Sequence, residues 1–194
     1  MNNAQENDLP LRKRQAKSTR SRIYNTAFEL ITRHGFDNVT VDEICRQSGV
    51  RKGAFYHHFK SKDDIIIEAY KRIDGDLLHE IATWPAGMGN EEKILFIVLF
   101  QARKAYIEGV VAVRPIYKSQ IDKGTSFFIS PDRPFYRNIR DAVAAAQAAG
   151  EFSADMSPEE LTRLVLSISR GIIYDWCMDD GRYDIVRVME SSFQ

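Results

Sequence analysis

The sequence predicts an all-α chain of about nine helices, with a short N-terminal three-helix unit ahead of a larger helical body. Three observations lead there. Apolar residues recur at three- and four-residue spacing along nearly the whole chain, and no alternating β pattern survives. Helix starts are marked by two capping boxes, Thr40-x-x-Glu43 and Ser157-Pro158-Glu159-Glu160. Charge is segregated: residues 1–62 hold 12 Lys and Arg against 6 Asp and Glu, and the remainder holds 15 against 21. The zero net charge of the 194 residues therefore hides a basic head on an acidic body, the footprint of a polyanion partner at one end.

Residues 1–16 are polar, with Arg12, Lys13 and Arg14 following Pro10, and read as a flexible basic arm or a solubilising tail. The first helix spans about Ser18 to His34, buries Ile23, Ala27, Leu30 and Ile31, and stops at Gly35. Residues 40–59, TVDEICRQSGVRKGAFYHHF, hold two short helical patterns separated by Ser48-Gly49-Val50, the spacing of a helix-turn-helix. Gly49 supplies the left-handed backbone of the turn, and Ile44 and Cys45 give the first of these helices its buried face. The second, Lys52 to His58, buries Phe55 together with Phe59. Its other side presents Lys52, Gly53, Ala54, Tyr56 and His57, small at the start and then aromatic and basic. Such a face approaches a groove floor and touches phosphates, so the unit reads as DNA-binding. His57 and His58 point about 100° apart on a helix and are poorly placed to share a metal ion.

Ser61 caps a fourth helix with Asp63 and Asp64 in its first turn, and Ile66, Ala69, Tyr70, Ile73, Leu77 and Ile81 along it. Beyond a loop at Gly87–Asn90, Glu91–Gly109 is apolar on nearly every side and must be central. Val111–Asp122 is a weaker helix that Pro115 breaks or kinks. Residues 123–134 are irregular around Phe127-Phe128, and Phe135–Ala149 is an Ala-rich helix closed by Gly150. Ser157 launches a helix to Met178, and a last one runs from Arg182 to Phe193.

Cys45 and Cys177 lie on apolar helix faces without partners at metal-ligand spacing. They read as buried thiols in a reducing compartment, with a redox role for either left open and no metal site expected. The start, MNNAQENDLP, lacks a signal core, and the longest apolar run, Ile94–Phe100, is too short for a bilayer. A cytoplasmic protein with no membrane partner is expected. There are no paired carboxylates at useful spacing, no nucleophile elbow and no phosphate loop. Gly87-Met88-Gly89 has no strand before it, so neither an enzyme nor a cofactor is expected.

The order Arg22-Ile23, Ala27-Phe28, Leu30-Ile31, Gly35, Val39-Thr40, Ile44, Gly49-Val50, Gly53, Phe55-Tyr56, His58-Phe59, Lys62 and Ile65 closely resembles the DNA-binding domain of the TetR (tetracycline-repressor-like) family of bacterial transcription regulators. The resemblance covers about residues 17–77; beyond residue 80 it lies in size and helical layout. It implies a DNA-binding domain at 17–77, with the helix-turn-helix at 40–59, and a ligand-binding and dimerisation domain at 78–194. The fourth helix would join the two. By family position, Thr40, Arg51, Lys52, Gly53, Tyr56, His57 and Lys62 should meet DNA, joined by Arg46 and Gln47. Two departures stand out. Cys45 replaces a usual Ala, and Arg51 replaces the Ser or Thr that commonly caps the recognition helix, at a cost of about 1 kcal/mol to that helix.

In the body, Phe96, Phe100, Tyr117, Phe127, Phe128 and Trp176, with Arg103 and Arg170 among their polar neighbours, suit a small-molecule pocket between helices. The last two helices are apolar on two sides and so need two partners. Leu161, Leu164, Ile168, Gly171, Ile172, Val186 and Met189 are the expected contact with a second subunit. The resemblance implies a homodimeric repressor released from a palindromic double-stranded operator by an unknown small-molecule effector. The alternative is a DNA-binding activator or architectural protein without an effector.

Overall fold

The structure is a computed structural model that describes residues 10–123 and 127–194. The described residues form nine helices and no strand. They fall into two compact units, Met1–Glu68 and Ala69–Gln194.

In the first unit, α1 (Leu11–His34) starts earlier than expected, and the N–H groups of Lys13 and Arg14 bond to the Pro10 carbonyl. Residues 11–16 are therefore an exposed helical extension, not a flexible arm. Leu, Arg, Lys, Gln and Ala are all strong helix formers, and Pro10 fits just ahead of a first turn. The part of the expected arm at residues 1–9 lies outside the described residues. α2 (Val41–Ser48) begins where Thr40 Oγ1 accepts from the Glu43 N–H, one half of the expected capping box. Gly49 closes α2 at φ 64°, and α3 (Lys52–His58) follows at once. Ile23, Ala27, Ile31, Ile44, Phe55, Phe59 and Ile65 are sealed from solvent and form one core. α4 (Asp63–Ile81) begins here and runs across the division between the units.

In the second unit, α5 (Asn90–Glu108) buries residues on several sides and packs against α6 (Val110–Lys123), α7 (Pro134–Ala148), α8 (Pro158–Met178) and α9 (Ile185–Ser192). α6 runs on through Pro115, which has no N–H to donate to the preceding turn. The capping box of α8 is complete: Ser157 Oγ accepts from Glu160 N–H at 3.3 Å, and Glu160 Oε2 accepts from Ser157 N–H at 2.8 Å. α9 starts later than expected because Asp180 and Gly181 both turn at positive φ. Asp184 then caps it by accepting from the N–H groups of Val186 and Arg187.

Candidate nucleic-acid interface and a buried polar cluster

The first unit presents its cations outward from a rigid base. Phe55 and Phe59 are buried beneath α3, which turns Tyr56 (53% exposed), Arg51, Lys52, Gly53 and His57 to solvent. Thr40, Arg46 and Gln47 are also exposed. Arg51 caps α3 without any side-chain hydrogen bond to the helix, so its guanidinium remains available. Lys52 Nζ pairs with Asp42 at 2.6 Å, with both side chains exposed, and that carboxylate raises the ammonium pKa. An exposed pair of this kind exchanges readily for a phosphate.

Two further cations fix the geometry instead. Arg20, which no local pattern singles out, donates from Nη1 to the His58 carbonyl and from Nη2 to Glu68, both at 2.8 Å. Its guanidinium lies 4.5 Å from the Phe59 ring centre, so one residue of α1 holds the C-terminus of α3. Lys62, expected on a phosphate, sends Nζ to the carbonyls of Phe36 and Val39, the latter at 2.8 Å, and lies over the Phe36 ring. Burial lowers its pKa. It ties the approach to α2 to the start of α4. His58 is half-buried, and desolvation lowers its pKa, whereas His57 faces out.

The second unit gathers its aromatic and polar groups inside. Tyr70 and Asp74, on the buried stripe of α4, meet Arg133 at the N-cap of α7. Arg133 donates to Asp74 from Nη2 at 2.7 Å and from Nε at 3.1 Å, a bidentate pair with both partners buried. Its guanidinium also lies 4.8–5.8 Å from the ring centres of Tyr70, Phe127, Phe128 and Phe135. Phe128 stands edge-on to Tyr70 at 4.4 Å and packs on Tyr117 at 5.3 Å. Arg170 of α8 reaches the same segment, donating to the Phe128 carbonyl at 2.9 Å and to the Leu166 carbonyl at 2.8 Å.

Of the residues selected as a pocket lining, Tyr117, Phe127 and Phe128 come together here. Phe100 joins through Phe135, and Phe96 stacks on Phe100. Two selections lie apart from this cluster. Arg103 is exposed because it sits on the solvent side of α5. Trp176 is a core residue whose Nε1 donates to the Tyr183 carbonyl. Sequence reasoning missed Asp74 and Arg133. The available signal was an acid in an apolar stripe, Tyr70-x-x-x-Asp74-x-x-Leu77, which demands a buried cation.

A cleft of about 560 Å3 elsewhere in this unit is lined by Ile94, Leu95, Phe152, Met156, Leu161 and others, with none of the selected pocket residues. Two of its carboxylates are engaged: Glu151 accepts from Asn90 and Asp155 from Ser153.

On α8, Leu164 (44% exposed), Ile168 (39%) and Gly171 face outward, and Leu161, Ile172 and Val186 are half-buried beside them. Val165 and Trp176 face inward with Leu166, Ile173 and Cys177. Met189, expected at the subunit contact, is fully buried in the core of its own chain because Asp184 sets the register of α9.

A helix-turn-helix on a basic unit, followed by an all-α body, defines a DNA-binding transcription regulator. Residues 23–69 match the family model for bacterial regulatory proteins of the tetR family. That segment, from the middle of α1 into α4, is what the chain shares with the family's DNA-binding domain. It is 23% identical over 165 residues to the HTH-type transcriptional regulator UidR of Escherichia coli K12, covering 83% of each chain. It is 22% identical over 181 residues to the fatty acid metabolism regulator protein of Bacillus subtilis, covering 92% of this chain and 93% of that one. Its fold is shared with Thermus thermophilus FadR, a TetR-family repressor solved with lauroyl-CoA, at a TM-score of 0.70. The identity there is 18%, over 89% of this chain and 90% of that one. Among the described residues, no helix is long and apolar enough to cross a membrane, and no group of three or more His, Cys, Asp or Glu could hold a metal ion.

Proposed function

We propose that this chain is a homodimeric cytoplasmic repressor, released from a palindromic operator by a small-molecule effector. The division of labour is residues 17–77 for DNA and 78–194 for effector and dimerisation. The observation that carries the reading is the outward face of α3, seated on buried Phe55 and bearing an uncommitted Arg51 beside Lys52, Tyr56 and His57. Tyr56 and His57 contact the backbone, Arg51, Arg46 and Gln47 a base or phosphate, and Thr40 and Lys62 a phosphate. Two copies would place their α3 helices in successive major grooves about one helical turn apart. The exposed Leu164–Ile168–Gly171 face of α8 supports self-association, because a small residue beside two apolar ones admits a close helix neighbour. The effector role rests on the cluster around Tyr117 and Arg133, and on the lauroyl-CoA held by the T. thermophilus relative.

The test is recovery of fragmented genomic DNA on the purified protein, followed by sequencing. One enriched palindrome is the expected result. Uniform recovery of all fragments favours an architectural protein without an effector, and no retention at low salt overturns the proposal. Leu164→Asp combined with Ile168→Asp should give monomers in sedimentation; an unchanged dimer would move the interface off α8.

A further inference from the structure

The buried cluster of the second unit carries more positive charge than its described acids answer. Arg133 is matched by Asp74, bidentate and buried. Arg170 is not matched: its two hydrogen bonds go to the carbonyls of Phe128 and Leu166, and its Nη2 makes none among the described residues. The groups that shape its electrostatics are Tyr117, Arg133 and Tyr70, with no carboxylate among them, and desolvation lowers its pKa. A partly buried guanidinium held on neutral carbonyls beside a second guanidinium is costly unless an anion joins it.

A second observation points to the same place. Tyr117 is 9% exposed, and among the described residues its hydroxyl has no hydrogen-bond partner. Burial raises its pKa well above the ordinary phenol range, so it stays a neutral donor at any physiological pH. Phe128 joins the two groups, since its ring packs on Tyr117 and its carbonyl takes Arg170. The rings of Tyr70, Phe127 and Phe128 pack together beside these groups and offer apolar contact to the rest of a ligand.

We propose that the effector is a small monoanion, such as a carboxylic acid with an apolar or aromatic body, whose charge is taken by Arg170 and the Tyr117 hydroxyl. This rests on the reading that the second unit binds an effector, and it deepens that reading. An aromatic box can instead select a quaternary ammonium. Here the rings already enclose the guanidinium of Arg133, which would repel a second cation.

The test uses the full chain and matched pairs: benzoate and benzamide, phenylacetate and phenylacetamide, octanoate and octanamide, with tetraethylammonium as the cation. Calorimetry and thermal melting are read with and without each compound. The acid of at least one pair should bind and raise the melting temperature, and its amide should not. Arg170→Met should weaken that acid by roughly tenfold or more, with Arg170→Lys retaining part of the affinity. Tyr117→Phe should weaken the same acid and raise the melting temperature of the ligand-free protein by about 2–4 °C, because a hydroxyl without a partner is removed. An amide that binds as well as its acid, or preferential binding of tetraethylammonium, overturns the anion inference and leaves the effector reading standing. If no compound binds and Tyr117→Phe lowers the melting temperature, both fall.

Discussion

The two units treat their cations in opposite ways. In the first, Arg46, Arg51 and Lys52 stand in solvent over an apolar base, engaged weakly or not at all. In the second, Arg133 is buried in a bidentate pair, and Arg170 is drawn half into the interior. An exposed cation costs almost nothing to hold and is free for a large polyanion. A buried one is expensive and must be tied to specific partners, which makes it selective for a small ligand and sensitive to any change of partner. The first unit therefore keeps cations in solvent and the second ties its own to named partners, Asp74 of α4 among them.

The sharpest way to break that contrast is Arg133→Met. It strands the Asp74 carboxylate on the buried side of α4, and the expected loss is about 3–5 kcal/mol. Thermal melting should fall by roughly 10 °C, and Asp74→Leu added to Arg133→Met should restore much of it. A single variant that melts with the wild type would mean the pair is effectively solvated. Arginines on the other unit should behave differently: Arg46→Ala is expected to leave stability within about 0.5 kcal/mol.

Tyr56→Ala comes next in size and probes only the first unit. The side chain is half-exposed and packs edge-on against Phe55, so melting should barely move. Operator affinity should fall roughly tenfold, the worth of one hydrogen bond to a charged phosphate. A gel-shift or anisotropy titration decides it, and unchanged affinity would remove Tyr56 from the interface.

The same contrast explains what could be read from the sequence. The helix-turn-helix was legible because its signals are local: Thr40 as a cap, Gly49 for the turn, Phe55 and Phe59 one helical turn apart. The inward cluster depends on residues far apart in the chain, Asp74 and Arg133 above all, and composition alone cannot pair them. Aromatic residues were a poor guide for that reason. Tyr117 and Phe128 converge, but Tyr106 and Tyr174 lie on the surface, and Trp176 fills the core. The residues expected at a subunit contact do not all lie on the surface of the chain. Leu164 and Ile168 are exposed, but the phase of α9 is set by Asp184, and Met189 turns inward. Lys62 shows a different limit, because a family position gives the residue but not its local bonds, and here two backbone carbonyls hold the ammonium.

The smallest expected effect separates stability from binding within the first unit itself. Arg51 occupies the N-cap of α3 in extended geometry, φ −81° and ψ 154°, the conformation from which a serine hydroxyl would reach the first-turn N–H groups. Its carbonyl already accepts from Ala54 and Phe55 at 2.9 and 3.2 Å, so Arg51→Ser has mainly the Gly53 N–H left to satisfy. The gain should therefore be only about 0.5 kcal/mol, the low end for a cap, helped by removing a cation from the positive end of a helix. Binding should move the other way. If the guanidinium meets a phosphate, the slope of log affinity against log salt should flatten by about one unit. If it reads a base, the slope should hold and preference among operator variants should relax by about 1–3 kcal/mol at one position. A variant that is more stable and binds every sequence as before would show that Arg51 is solvated surface, and that the missing cap has no counterpart in DNA recognition.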